Sequence, residues 1–310
     1  MEINTELFEK IPNDQKNLNE IVRPSETYFQ DAWRRLKENK LAMGGLFFVI
    51  FITLLAIIGP MVSKYNYYSQ DFMIANQSPS SAHWFGTDKF GRDMFIRILY
   101  GARISLTIAY VASILNLVIG ILYGSISGYA GGMVDNLMMR VVDVIWSVPP
   151  MIYVILLMVI LYNPESTDGG MSSIIIALAI SFWVTMARIV RSQVMALKEQ
   201  EFVLAAKISG ATNMRIILKH LIPNSMGPII VTMTMSVPGA IFTEAFLSFI
   251  GLGISAPKAS WGSLASEALD GYQLYPLQLV FPAMAICVTI LAFNFLGDGL
   301  RDALDPKMRK

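Results

Sequence analysis

Long apolar stretches constrain this chain more than any other feature. Segments near residues 41–63, 104–129, 142–162, 172–196, 226–251 and 279–300 are each apolar over enough length, about 20 residues, to cross a hydrocarbon core of roughly 30 Å as a helix. Inside such a core every backbone N–H and C=O needs an internal partner, and runs this continuous satisfy that need as helices. Composition agrees, because 54% of the 310 residues are apolar and only 15% are charged, outside the range of soluble globular chains. The expected fold class is an all-α polytopic membrane protein with six transmembrane helices. Pro149 and Pro150 fall inside the third segment, which is expected as a kinked span.

Lys and Arg flanking a span are retained on the cytoplasmic side. Arg34, Arg35, Lys37 and Lys40 precede the first span, Arg301, Lys307, Arg309 and Lys310 follow the last, and the 197–225 connector carries Lys198, Lys207, Arg215 and Lys219. The 163–171 connector has no Lys or Arg, and residues 252–278 have only Lys258. Both termini and the 197–225 loop are therefore expected in the cytoplasm, with a tail at 1–40 and one membrane domain at 41–310. Residues 64–103 are expected as an external loop, although they contain Lys64, Lys89, Arg92, Arg97 and Arg103, partly offset by Asp88 and Asp93. The tail has no basic start, short apolar core or small-residue cleavage site, so the first span is the expected insertion signal.

The search for chemistry finds little. There is no GxSxG turn, no HExxH pair and no GxxxxGK[ST] loop. His83 and His220 fall in connectors expected on opposite sides of the membrane and read as surface residues that cannot share a metal. Cys287 has no cysteine partner and is expected to pack inside the last span, while a net charge of +1 without a basic block excludes nucleic acid. Two carboxylates fall within spans, where ionisable groups are functional candidates. Asp143 is expected as a boundary carboxylate, solvated or paired with Arg140; Glu244 either bonds to Ser or Thr hydroxyls of adjacent helices or lines a solute path. An intramembrane hydrolase using one of them is the remote alternative, lacking a second catalytic group. Gly120, Gly124 and Gly128 form one small-residue face, a contact surface for a helix of this chain or of another subunit.

The polar island from Glu199 to Asn224 is bounded on both sides by apolar segments. Phe202, Ala205, Ala206 and Ser209 fall at helical spacing, Gly210 interrupts, and Met214, Ile217, Leu218 and Leu221 make a second stripe before Pro223. Two short helices joined at a glycine are expected, forming a cytoplasmic contact device.

Ala205, Ala206 and Gly210, followed by Ile222-Pro223-Asn224, resemble the EAA loop of bacterial ABC importer permeases, with Leu204 in place of the leading acid and Glu201 three residues earlier. Phe85-Gly86-Thr87-Asp88 with Gly91-Arg92-Asp93, Gly101 to Leu106, Phe249 to Gly253 leading to Ser260-Trp261-Gly262, and Asn294 to Pro306 are similar to the C-type permeases of the oligopeptide, dipeptide and nickel branch. The resemblance implies a type I importer permease that forms half of a pore for peptides, or for nickel or another small solute. It also implies a homologous second permease, two cytoplasmic ATPase subunits that bind ATP and magnesium, and an extracellular or periplasmic solute-binding protein, all at the bacterial cell membrane. The chain itself would bind no cofactor and do no bond chemistry. Glu201, Phe202, Ala205, Ala206, Lys207, Gly210, Ala211, Ile222 and Pro223 would then couple to an ATPase. The 64–103 segment would present its aromatic and basic residues to the binding protein or to the membrane interface.

Overall fold

A computed structural model of the protein describes residues 27–161 and 167–305. The expectations for residues 1–26, the 163–166 part of the external connector, and Lys307, Arg309 and Lys310 lie outside the described residues. The described residues are almost entirely helical. A short amphipathic helix α1 (Tyr28–Glu38) precedes α2 (Lys40–Val62); α3 (Met94–Ala130), α4 (Gly132–Ser147), α5 (Pro150–Leu161) and α6 (Met171–Leu197) follow. Then come α7 (Glu201–Ile208), α8 (Asn213–Ile216), a π turn over Ile217–Leu221, α9 (Ile222–Asn224), α10 (Met226–Phe249), α11 (Trp261–Ala268) and α12 (Pro276–Leu304). Among the described residues, five helices are long and apolar enough to cross a membrane, and α4 with α5 would make a sixth crossing.

That pair is not the gently kinked span expected at 142–162. α4 and α5 meet at an angle of 88°, with Val148 extended between them. Pro149 has no N–H to continue the α4 ladder, and proline disfavours α geometry in the residue before it, here Val148. α3 also departs from the sequence reading: it begins at Met94 rather than near 104, so ten residues assigned to the external loop are helix. Asp93 starts it by accepting a hydrogen bond from the Ile96 N–H at 2.9 Å, a side-chain N-cap. Arg97 had hidden this start by interrupting the apolar run, but the structure neutralises it.

α6 is the central helix. Of its apolar stretch, 61% is buried, against 22% for the peripheral α2. The small-residue face of α3 lies directly on α6: a Cβ at Gly120 would come 2.5 Å from the Met186 side chain, and one at Gly124 would come 2.4 Å from the Ala187 carbonyl oxygen. Backbone cannot yield as a side-chain tip can, so Gly124→Val should separate the two helices. The expected cost is at least about 1–3 kcal/mol of overpacking, read as a lower melting temperature in detergent. Unchanged melting would show that the glycine face is not a close contact.

The two ends of the described chain converge. The Tyr28 hydroxyl donates to the Leu304 carbonyl at 2.8 Å and stands 2.7 Å from where a Cβ on Gly227 would be. The start of α1, the end of α12 and the start of α10 therefore share one end of the bundle. On α12, Cys287 is exposed rather than packed inside.

Candidate functional site: a docking unit and a polar cavity

The segment between α6 and α10 folds into the two short helices expected, with a defined joint. α7 closes with Gly210 at φ +78°, the Gly210 N–H bonding to the Lys207 carbonyl and the Ala211 N–H to the Ala206 carbonyl, both at 3.0 Å. This pair of bonds is a Schellman closure, and its left-handed position strongly favours glycine. Thr212 then opens α8, its hydroxyl accepting from Arg215 N–H at 3.4 Å.

The inner face of the unit is Val203, Ile216 and Leu221, all fully buried with Val190 and Val194 of α6 and Ile229 of α10, while Ala206 and Ala211 pack partly against them. Its outer face exposes Phe202, Leu204 (59%), Ile208 (80%), Met214 (62%) and Leu218. The second stripe therefore differs from the sequence reading: Met214 and Leu218 face outward, and Ile216 takes the buried place. The π turn at Ile217–Leu221 inserts extra backbone, so an unbroken period of 3.6 assigns the wrong face there. Nor does Pro223 end the pattern. It sits in the first turn of α9, one residue of turn away from α10, where a missing N–H costs nothing.

Of the expected coupling residues, Glu201, Phe202, Ala205, Lys207, Gly210 and Pro223 are exposed and Ala206, Ala211 and Ile222 partly buried. Leu204, standing where the resemblance expects an acid, adds apolar surface. Missed by the sequence reading were the struts that brace the unit against α3. The Tyr129 hydroxyl donates to Asn213 Oδ1 at 2.8 Å, Lys198 Nζ donates to the Gly128 carbonyl at 3.0 Å, and Lys207 Nζ lies 5.8 Å from the centre of the Tyr129 ring. Nearby, Asp135 of α4 accepts from the Arg191 guanidinium and the Ser127 hydroxyl.

A cavity of about 1210 Å³ opens between α3, α6 and α10 and runs toward the docking unit. Asn116, Thr185, Gln193, Thr232 and Ser236 supply its polar lining and Met186 and Met235 its flexible apolar lining; its charged lining residues, Arg301 and Asp305, lie at the end where Tyr28 and Pro223 also line it. Glu244 is not among the lining residues. It is fully buried in a knot of hydroxyls, accepting from Ser105 of α3 and Ser248 of α10 at 2.8 Å each. Ser105 in turn accepts from the Trp261 N–H of α11 at 3.2 Å. Of the two readings left open for Glu244, the geometry selects helix bonding over path lining.

At the opposite end of α3, residues 86–97 form a buried ion cluster. Asp88 accepts from Arg92 Nε and Arg97 Nη1 at 2.6 Å each, and Glu267 of α11 accepts from Arg92 at 2.8 Å and from Arg97 at 2.9 and 3.1 Å. His83 is buried, not a surface residue, with Nδ1 2.8 Å from Asp93 Oδ2. Asp143 pairs with Arg188 at 2.7 Å rather than with Arg140. Near the cluster, exposed Lys89 donates to Asp270 at 2.8 Å and holds that carboxyl below its ordinary value.

A helical membrane bundle with an apolar-faced unit at one end and a largely apolar cavity leading to it, into which Asn116, Thr185, Gln193, Thr232 and Ser236 bring polar groups, is suited to a solute path, and no metal-holding cluster occurs among the described residues. The chain belongs to the family described as binding-protein-dependent transport system inner membrane component, whose model matches residues 120–310. Residues 27–79 match the N-terminal TM domain of oligopeptide transport permease C. Similar proteins include the oligopeptide transport system permease protein OppC of Bacillus subtilis (strain 168), 50% identical over 98% of each chain. The dipeptide transport system permease protein DppC of the same strain is 50% identical over 96% of this chain and 92% of the relative. OppC of Escherichia coli (strain K12) is 42% identical, over 91% and 92%. In fold, the chain is similar to the MetNI methionine ABC transporter in an inward-facing conformation, with a TM-score of 0.55 at 20% identity over 68% of this chain and 98% of that one. The architecture is that of a type I ABC importer permease.

Proposed function

We propose that this chain is one of two permease subunits that together enclose a peptide path across the bacterial cell membrane, driven by cytoplasmic ATPase subunits and supplied by an external binding protein. The observation that carries the reading is the docking unit: its inner face packs against α6 and α10, and its outer face leaves Phe202, Leu204, Ile208, Met214 and Leu218 exposed among the described residues. Such a unit transmits the closure of a docked ATPase pair to the two spans at its ends, rocking them as rigid bodies. Both ends of the described chain, at Tyr28 and Leu304, lie at the docking-unit end of the bundle, and that end is cytoplasmic in this reading. ATP and magnesium sit in the ATPases, and the chain contributes positioning and movement.

Peptide as the solute is supported by the names of the relatives and by a cavity whose lining mixes apolar side chains with the polar groups of Asn116, Thr185, Gln193, Thr232 and Ser236, which suits backbone amides with varied side chains. Affinity purification of the chain in mild detergent, followed by mass spectrometry, tests the assembly. The wild type should bring down a second permease and ATPase subunits. Gly210→Pro removes the N–H bonded to Lys207 and requires a negative φ, so it should lose the ATPases. A chain that purifies alone, or a variant that retains the ATPases, refutes the proposed docking.

A further inference from the structure

The polar groups of the cavity differ in what they have left to offer. Thr232 spends its hydroxyl proton on the Pro228 carbonyl at 2.8 Å, and Ser236 has the Met233 carbonyl at 2.7 Å and Ser113 Oγ at 3.0 Å as acceptors. What these hydroxyls have left is lone pairs. Asn116 goes further: it is 5% exposed, lines the same cavity, and its Oδ1 has no hydrogen-bond partner. It sits where the middle portions of three helices meet, with Thr185 of α6 and Ser236 of α10 among the other lining residues.

A buried amide carbonyl without a partner is uncommon, because the group has given up water and gained nothing. The Thr232 and Ser236 hydroxyls and the Asn116 carbonyl thus keep lone pairs that an N–H donor can use, beside the amide N–H groups that Asn116 and Gln193 also bring to the lining. The terminal torsion of an asparagine has a broad range, so Oδ1 can turn toward such a donor without a change of backbone.

We infer that Asn116 contacts the solute in transit, its Oδ1 accepting a hydrogen bond from a backbone amide N–H of a peptide in the path. The inference rests on the proposed reading of the chain as half of a peptide path. Asn116 is a solute-binding residue within it, at a point where recognition is of the backbone and therefore indifferent to side chains.

The test uses the complex with its co-purifying partners in proteoliposomes, on a Cys287→Ser parent with labelling read on this chain alone, because Cys287 is the one cysteine of this chain and is exposed. The parent should take up trialanine on ATP addition; failure to do so overturns the function proposed above together with this inference. Given an active parent, Asn116→Leu should lower the trialanine uptake rate roughly tenfold, with the partner subunits still co-purifying in the parental ratio. Asn116→Cys should be labelled by a water-soluble methanethiosulfonate during turnover, and saturating trialanine should slow the labelling several-fold. Parental uptake in the Leu variant, or a cysteine that stays unlabelled throughout turnover because a second permease subunit covers it, overturns the Asn116 assignment and leaves the peptide-path reading standing.

Discussion

Ile208→Glu should abolish ATP-driven uptake while leaving the chain folded and inserted. Ile208 lies in the last turn of α7 and is 80% exposed, so the folded monomer loses little packing when it is changed. The new carboxylate meets the negative end of a short helix, an unfavourable interaction of about 0.3–1 kcal/mol. Docked against an ATPase groove, the same carboxylate would be taken out of water beside apolar groups. Leaving one charge buried and unpaired at an interface costs about 2–5 kcal/mol, a loss of roughly 30-fold or more in affinity. The variant should elute as a monodisperse membrane protein at wild-type yield, with ATPase subunits depleted and uptake lost. Wild-type ATPase stoichiometry on the variant would remove the docking unit from the mechanism. Val203→Glu is the instructive contrast: Val203 is fully buried against α6 and α10, so that carboxylate should prevent folding and reduce yield itself.

The contrast between Ile208 and Val203 shows what the sequence could and could not reveal. Both are apolar residues of one amphipathic stretch, and helical spacing identified the stretch, its glycine joint and its two arms. Which residues face the bundle depends on the π turn at Ile217–Leu221, which leaves no mark on apolar periodicity. Long apolar runs revealed the spans where hydrophobicity alone places a helix, as in α2, α6 and α10. They failed at α3, where Arg97 enters the helix because Asp88 and Glu267 meet it there, from residues 9 and 170 positions away in sequence. They also failed at Val148, where backbone sterics turn an apparent single span through 88°. The cavity's polar groups were invisible for a related reason: Asn116 on α3, Thr185 on α6 and Ser236 on α10 are isolated polar residues on different helices, and only packing assembles them.

Arg97→Ala should be the most destabilising single change outside the docking unit. Arg97 is 1% exposed and bonds at once to Asp88 in the segment before α3 and to Glu267 on α11. A buried ion pair adds little net stability compared with apolar packing, but removing one partner strands the other charge, at a cost of about 3–5 kcal/mol. That is a large fraction of the roughly 5–15 kcal/mol that holds a typical domain together. Arg92 also reaches both carboxylates, yet a single guanidinium cannot balance both the buried Asp88 and the partly buried Glu267. The variant should be degraded in the cell or melt far below wild type by fluorescence-detected size exclusion. Arg97→Lys keeps the charge and loses the planar fork that spans Asp88 and Glu267, so it should fall between the two. Combining Arg97→Ala with Glu267→Gln removes one stranded charge and should recover part of the loss, which separates charge imbalance from missing side-chain volume. If Arg97→Ala melts with wild type, the cluster does not hold the segment before α3 to α3 and α11, and some other contact fixes the start of α3 at Met94.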